Sequence, residues 1–470
     1  MNFSFLADTR FSVPLNRCSN MAYLCLLLFF IDFLSFGSGK VTQIYSFIST
    51  RELFFAASFL FAVPLMWSRR KELIRNVPLW LIAVFLFLIA LSGIRGYIAG
   101  NNTAIIASDV LGFLSFVLFP AVLVLLYNRE RLEFLMQTVI VVCAVWALCS
   151  LVLTFFHFYP EDFANRLYLF FEENTLCSLT PLAGNGTRVF FHTASRYMLP
   201  AFLFAAYFFL VKQRRKVFYV FAMILYTVSL FFTYSRAICF GAVLFTALFT
   251  VFFFHEKVKN MLALWAVVLI GAAALLGVIG LTQDFNPFQT MISRVAILGE
   301  GENPSADYSK NPSAPTEMNP PENDPETAGR YIHQQEERLS LNTRAERMET
   351  LKEMIADHPL IGGGLGTSVS SGDGYVEYFY HDMLVKNGII GLLAFLLPFF
   401  YGAALLRKKK FRLNPLYLVF LICTGFFLFI SYFNPCMNSV TGISCYIVFL
   451  AVCSVGNVKN RGLSVENITI

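Results

Sequence analysis

The hydrophobic positions of this chain fall in long unbroken runs. They show neither the i, i+3, i+4 stripe of a soluble helix nor the alternation of a half-buried strand. A helix needs about 20 mostly apolar residues to cross a bilayer. Runs of roughly that length recur along the chain, and they predict about twelve spans: residues 21–36, 53–67, 78–94, 107–127, 134–158, 197–211, 217–233, 237–254, 261–281, 389–406, 415–432 and 440–455. The expected fold class is an all-α polytopic membrane protein, a helix bundle in lipid whose backbone polar groups are satisfied within each helix.

Two polar segments interrupt the runs, at 159–196 and 282–388, and the basic residues assign them a side. Alternate short loops carry Arg69, Arg70, Lys71 and Arg75; Arg129 and Arg131; Lys212, Arg214, Arg215 and Lys216; Lys257 and Lys259; then Arg407, Lys408, Lys409, Lys410 and Arg412. The short loops between them hold only Lys40, Arg51, Arg95 and Arg236. Positive-inside asymmetry therefore puts both termini in the cytoplasm and both polar segments outside. Three regions result: 1–281, with the first nine spans and the outer loop 159–196; 282–388, a large extracytoplasmic loop before span ten; and 389–470, with the last spans and a cytoplasmic tail.

Composition agrees with a bundle in lipid. The chain has 470 residues, 57% hydrophobic and 14% charged, with 53 Phe. The net charge of +6 does not point to nucleic acid, because Lys and Arg cluster in short loops where topology accounts for them. Arg10 and Arg17 precede the first run without a small-residue cleavage site after it, so the first span is expected to be retained. The ten cysteines show no metal-ligand spacing. Only Cys177 and Cys436 fall in expected outer loops, where a disulfide is open to them.

The unusual chemistry lies in the outer segments. Residues 299–340 are rich in Pro, Glu, Asn and Ser, with too few apolar groups to offset ordering entropy, and disorder is expected there. Helical period returns at 342–358, where Met348, Leu351 and Ile355 share a stripe and Pro359 supplies a stop. That pattern predicts an amphipathic helix at the outer surface, its stripe packed on the bundle in preference to lipid. "IGGGLGTSVSSGDG" follows, a flexible stretch whose backbone N–H groups, around Gly364 and Gly366, can meet an anion. It is no Walker motif, since no Lys follows the last Gly at the required place. Asp373 is then placed to cap a short helix running through Lys386 into span ten.

On that helix Glu377 and His381 are spaced i, i+4 and share a face with Tyr380 and Leu384. A carboxylate and an imidazole at a membrane edge suit a general base and its proton partner; an interfacial cap is the plainer reading. Arg188 and Arg196 flank "VFFHTAS", and Arg236 lies in "TYSRAICFGAVLF". Topology disfavours arginine outside, so a phosphate-bearing ligand is the natural compensation, given the bidentate fit of guanidinium to phosphate. Snorkelling to lipid phosphate fits any one of them, whereas three in neighbouring outer turns favour a shared anion site. The acids within spans, such as Asp32 and Asp109, sit near outer ends. With no internal repeat visible, a transporter is the weaker reading.

These residues resemble the O-antigen ligase and O-antigen polymerase superfamily of bacterial membrane glycosyltransferases. "SRAICFGAVLF" is similar to the family's Ser-Arg-Gly start of a span, with Ala237 where Gly is usual. "RAERMETLKEMIADHPLIGGGLG" resembles its Arg, helix, His-Pro-Leu, Gly-x-Gly segment, with Arg344 in the Arg position, and "GIIG" at Gly388–Gly391 matches the start of the following span. Ligases of this family carry a catalytic His eleven residues before that first Gly; here the position is Glu377, and His381 is seven before it. This departure leans towards polymerase. The resemblance implies a GT-C-like fold, no cofactor and no metal, and a donor glycan on undecaprenyl diphosphate in the bacterial cytoplasmic membrane. The acceptor it implies is another lipid-linked repeat (polymerase) or lipid A core (ligase), with flippase and chain-length regulator proteins as further partners. Arg188, Arg196, Arg236 and Arg344 would bind the diphosphate, and Glu377, helped by His381, would take the acceptor's proton.

Overall fold

The apolar runs become helices, several of them started by asparagine. Asn76, Asn102, Asn128 and Asn414 each accept a backbone N–H of the turn they precede, and proline occupies the first turn after Asn76 and Asn414. The computed structural model describes residues 13–37, 40–45, 48–155, 160–181, 187–211, 215–283, 347–368, 378–408, 411, 414–433 and 436–458. The segment 299–340, Arg344, Asp373 and Glu377 lie outside these residues.

In chain order the helices are α1 (Val13–Phe36), α2 (Thr50–Ser68), α3 (Arg70–Ile74), α4 (Val77–Ile98), α5 (Thr103–Leu114), α6 (Phe119–Leu125), α7 (Arg129–Thr154), α8 (Glu161–Glu173), α9 (Ala194–Val211), α10 (Lys216–Phe232) and α11 (Arg236–Gln283). They continue with α12 (residues 347–357), α13 (Phe379–Ala404), α14 (Pro415–Ile430) and α15 (Val440–Val458). Two small antiparallel pairs complete the described residues: β1 (Gln43–Tyr45) with β2 (Ile48–Ser49), and β3 (Cys177–Pro181) with β4 (Thr187–Phe191).

Nine helical stretches among the described residues are long and apolar enough to cross a membrane, and three further apolar helices, Lys216–Phe232, Pro415–Ile430 and Val440–Val455, are shorter. α9, α14 and α15 form the centre of the bundle, with almost every side chain buried. Trp67, Val217, Ile270 and Leu281 instead point outward from peripheral helices. So much exposed apolar surface is untenable in water, and its distribution around helix exteriors is that of a lipid-facing surface. The protein is an integral membrane protein.

α11 does not run straight. Trp265 Nε1 donates to Thr250 Oγ1 at 3.0 Å, although fifteen residues of straight helix would separate them by about 22 Å. The chain therefore folds back between its two span-length stretches, Arg236–Phe253 and Lys259–Thr282.

The segment 159–196, read from sequence only as a loop, holds α8 and the β3–β4 hairpin. The strands pair from Cys177 opposite Phe191 to Pro181 opposite Thr187. Thr187, Val189 and Phe191 are the buried face of β4, and Phe191 packs on Trp146 of α7 and on Phe171. Cys177 and Cys436 remain free thiols, so the disulfide open to them is not formed. Cys177 is packed within the hairpin's own apolar cluster, and Cys436 lies against Ser431 in the bundle.

In α12, Leu351 is fully buried on Val385 of α13, with Ile355 and Met354 packed beside it.

Candidate functional site

α13 carries the stretch "FYHDMLVKNGIIG" and begins at Phe379, with Tyr378 as its N-cap. Asp373 and Glu377, the expected cap and the partner of His381, lie outside the described residues. At Gly388 the backbone leaves helical geometry, with φ 63° and ψ −171°. Only glycine adopts that conformation without cost.

The break frees backbone groups that lipid could not satisfy, and the Gly-rich loop supplies partners for them. Val385 and Lys386 lose the amides of Ile389 and Ile390; their carbonyls accept instead from Gly363 N–H at 2.6 Å and Gly364 N–H at 3.0 Å. The freed N–H groups of Ile389 and Ile390 donate to Pro359 O at 3.0 Å and Leu360 O at 3.2 Å. α4 locks the loop from the other side. Leu365 N–H donates to Ser92 O at 3.0 Å, Ser92 Oγ donates to Lys386 O at 3.0 Å, and Arg95 Nη1 donates to Ile361 O at 2.9 Å. A Cβ on Gly364 would lie 2.5 Å from Gly96 N, so the two backbones touch there. "HPLIGGGLG" and "GIIG" are thus two halves of one device, a broken helix and the loop that completes its hydrogen bonding.

The loop's amides are consequently spent inside the protein. Gly364 N–H serves Lys386 O, and Gly366 N–H meets an internal anion, the Asp109 carboxylate, at 2.9 Å from Oδ2. Asp109 Oδ1 takes Lys386 Nζ at 2.8 Å, and the same ammonium pairs with Asp382 Oδ1 at 2.8 Å. Lys386 is 3% exposed and Asp382 6%. Taking such charges out of water is tolerable only because they are paired. α5, the Gly-rich loop and α13 are therefore tied at one point.

This triad forms one wall of a cavity of about 590 Å³, lined also by Ser108, Asn387, Asn438, Ser439, Thr175, His192, Thr193 and Arg196. His192, Thr193 and Arg196 of the lining follow directly on β4, whose own residues alternate. While Thr187, Val189 and Phe191 point into the core, Arg188, Phe190 and His192 take the other face. The Arg188 and Arg196 guanidinium groups both lie over the Phe190 ring, at 5.8 and 5.9 Å, and Arg188 Nε donates to Thr233 O at 2.9 Å. Arg196, at the start of α9, lines the cavity, and its buried Nε has no hydrogen-bond partner among the described residues. Burial, reinforced by the charges of Arg196 and Arg188, pushes the His192 imidazole down to about 4, so it is neutral near pH 7. The cavity lining thus joins a guanidinium and an imidazole to paired carboxylates, an ammonium, amides and hydroxyls.

Of the residues singled out from sequence, Arg196 lines the cavity and Arg188 shares its aromatic support. Arg236 opens α11 three residues beyond the carbonyl that holds Arg188 and is not in the lining. His381 is half-buried outside the lining, its ring 5.7 Å from Tyr378 and 6.2 Å from Tyr432. Asp109, His192, Lys386 and Asn387 had no assigned role. The period-two pattern of "TRVFFH" carried a signal for His192; nothing local paired Asp109 with a lysine in another helix.

Residues 221–396 match the family model of O-antigen ligase, which supports the O-antigen ligase and polymerase superfamily seen in the motifs. The matched segment holds the Gly-rich loop, Asp382, Lys386 and the Gly388 break, while Arg188, His192 and Arg196 precede it. No curated protein matches the chain.

Proposed function

We propose that this O-antigen ligase-family protein is a membrane glycosyltransferase. It joins undecaprenyl-diphosphate-linked oligosaccharide repeats into O-antigen, capsule or exopolysaccharide on the outer face of the bacterial cytoplasmic membrane. The observation that carries the reading is the cavity, where Arg196, whose buried Nε has no hydrogen-bond partner among the described residues, shares the lining with buried carboxylate, ammonium and amide groups. The donor's diphosphate lies against Arg196, with Arg188 beside it on the Phe190 ring; Arg236 and Arg344 are the further sequence candidates for binding it. The guanidinium groups stabilise the charge that grows on the diphosphate as it leaves the anomeric carbon. A diphosphate is already a good leaving group, so alignment of the acceptor hydroxyl supplies much of the remaining acceleration. Glu377 and His381, in the stretch leading into α13 and at its start, are the sequence candidates for taking the acceptor's proton.

The twelve apolar helical stretches, both termini cytoplasmic, and a GT-C-like arrangement belong to this reading. The ligase alternative, transfer to lipid A core, draws on the family model's description. One experiment separates the outcomes: purified protein in liposomes with undecaprenyl-diphosphate-linked oligosaccharide. A ladder of products from the donor alone is the expected result. Product only after addition of lipid A core makes the protein a ligase. Lipid translocation with no new glycosidic bond refutes the enzyme reading and leaves a transporter.

A further inference from the structure

The cavity holds two carboxylates among the described residues, and they differ in what they are free to do. Asp109 is spent: Oδ1 pairs with Lys386 Nζ and Oδ2 accepts Gly366 N–H. Asp382 has Lys386 as its ionic partner, through Oδ1 at 2.8 Å, and that buried oxygen has no hydrogen-bond partner among the described residues. Its neighbour His381 lies outside the lining, while Asp382 lies within it. Five residues further along the helix, and also in the lining, Asn387 is 5% exposed, and its buried Oδ1 has no hydrogen-bond partner among the described residues. A buried amide oxygen without a partner is costly unless something donates to it. A sugar, with several hydroxyls on one ring, offers one donor for Asn387 and another for Asp382.

We propose that Asp382 is the proton acceptor for the attacking hydroxyl, and that Asn387 holds a second hydroxyl of the acceptor sugar. The inference rests on the glycosyltransferase reading and names the residue that reading leaves open. The acceptor hydroxyl gives its proton to the free oxygen of Asp382 as its own oxygen bonds to the donor's anomeric carbon. The bond from that carbon to the diphosphate oxygen breaks, and its electron pair leaves with the undecaprenyl diphosphate. Asp382 then passes the proton to water, so the products are the lengthened glycan, the lipid diphosphate and one proton. Lys386 is a positioning residue: its ammonium holds Oδ1 of a carboxylate that lines the cavity, Asp109 holds Lys386, and the Gly366 amide holds Asp109 in turn. The Gly388 break sits two residues beyond Lys386, so the loop that satisfies the break also positions this carboxylate.

The test uses the full-length protein in liposomes with the undecaprenyl-diphosphate-linked oligosaccharide, measuring transfer rate and donor binding together. Asp382→Asn keeps the volume and removes the base; transfer should fall by about 100-fold or more, with donor binding unchanged. Asp382→Glu moves the carboxylate by one methylene and should retain activity reduced by about 10-fold to 100-fold. Asn387→Ala should raise KM for the acceptor more than it lowers kcat. Asp382→Asn within threefold of wild type overturns the proposal. So does an equal loss of transfer and donor binding, which marks a structural role. If Asp382→Asn yields no folded protein, Asp382→Glu decides, and an undiminished rate overturns the assignment. An active Asp382→Asn beside an inactive Glu377→Gln moves the proton acceptor to Glu377 and leaves the enzyme reading standing. Failure of the wild-type protein to form any glycosidic bond sinks that reading itself.

Discussion

Replacing Lys386 by methionine tests whether the triad is a single electrostatic unit. The substitution roughly preserves side-chain length and removes the only positive charge between Asp109 and Asp382, which are each 2.8 Å from its ammonium. With Lys386 3% exposed, and the side chains of Asp109 and Asp382 15% and 9%, water cannot take over the role of counter-ion. Removing one partner of a buried pair costs about 3–5 kcal/mol, because the carboxylates left behind keep their desolvation penalty. Asp109 retains the Gly366 N–H, which places the expected loss near the lower bound, about 3 kcal/mol. The assay is unfolding in mixed micelles by increasing SDS mole fraction, followed by circular dichroism. A cycle with Asp109→Asn supplies the control, since asparagine still accepts the Gly366 N–H but carries no charge. Lys386→Met should be markedly less harmful in the Asp109→Asn background, with a coupling of about 1.5 kcal/mol or more. Additivity within about 0.5 kcal/mol would refute the unit, as would a stable Lys386→Met single variant.

Gly388→Ala should destabilise by about 2–4 kcal/mol in the same assay, because its Cβ would lie 2.3 Å from the Leu360 carbonyl at a φ of 63°; a wild-type unfolding curve would mean that the loop and the break are not interdependent. His192 should make stability pH-dependent with a definite sign. Its folded value of about 4 lies below the ordinary 6.5, so the unfolded chain takes up the proton first, and about 1–3 kcal/mol is lost as pH falls from 6.5 to 4, with no change above. His192→Asn should flatten that limb, and an equally steep profile in the variant would contradict the assignment. Arg196→Ala should weaken donor use by about 10-fold or more and Arg196→Lys by less, read as KM for the lipid-linked donor; equal, wild-type values in both would remove the diphosphate assignment from that side.

How much of this was legible in the chain varies from residue to residue. Arg196 stood out because arginine is scarce on the outer side, a feature of topology alone. The loop "HPLIGGGLG" was visible as a glycine cluster, but its partners were not. Gly363 and Gly364 complete the hydrogen bonding of a helix broken by Gly388, and Gly366 meets the Asp109 carboxylate. Of the ionisable cluster before "GIIG", sequence spacing favoured Glu377, which lies outside the described residues, and His381, while among the described residues the cavity takes Asp382 and Lys386. Adjacent helical residues point about 100° apart, so the side that faces a cavity depends on how the helix is rotated.

By itself the sequence determines the helices, because a helix in lipid must satisfy its own hydrogen bonds and a sufficient apolar run therefore specifies one. The Asn-Pro helix starts and the alternation in "TRVFFH" are equally local. The rotation of α13 was decided only by packing against α4 and α12. The same packing brought Lys386 to Asp109, 277 residues away in the chain, a pairing no window of sequence contains. Local periodicity specifies elements; the pairing of buried charges follows only once burial has removed the water that would otherwise solvate each of them.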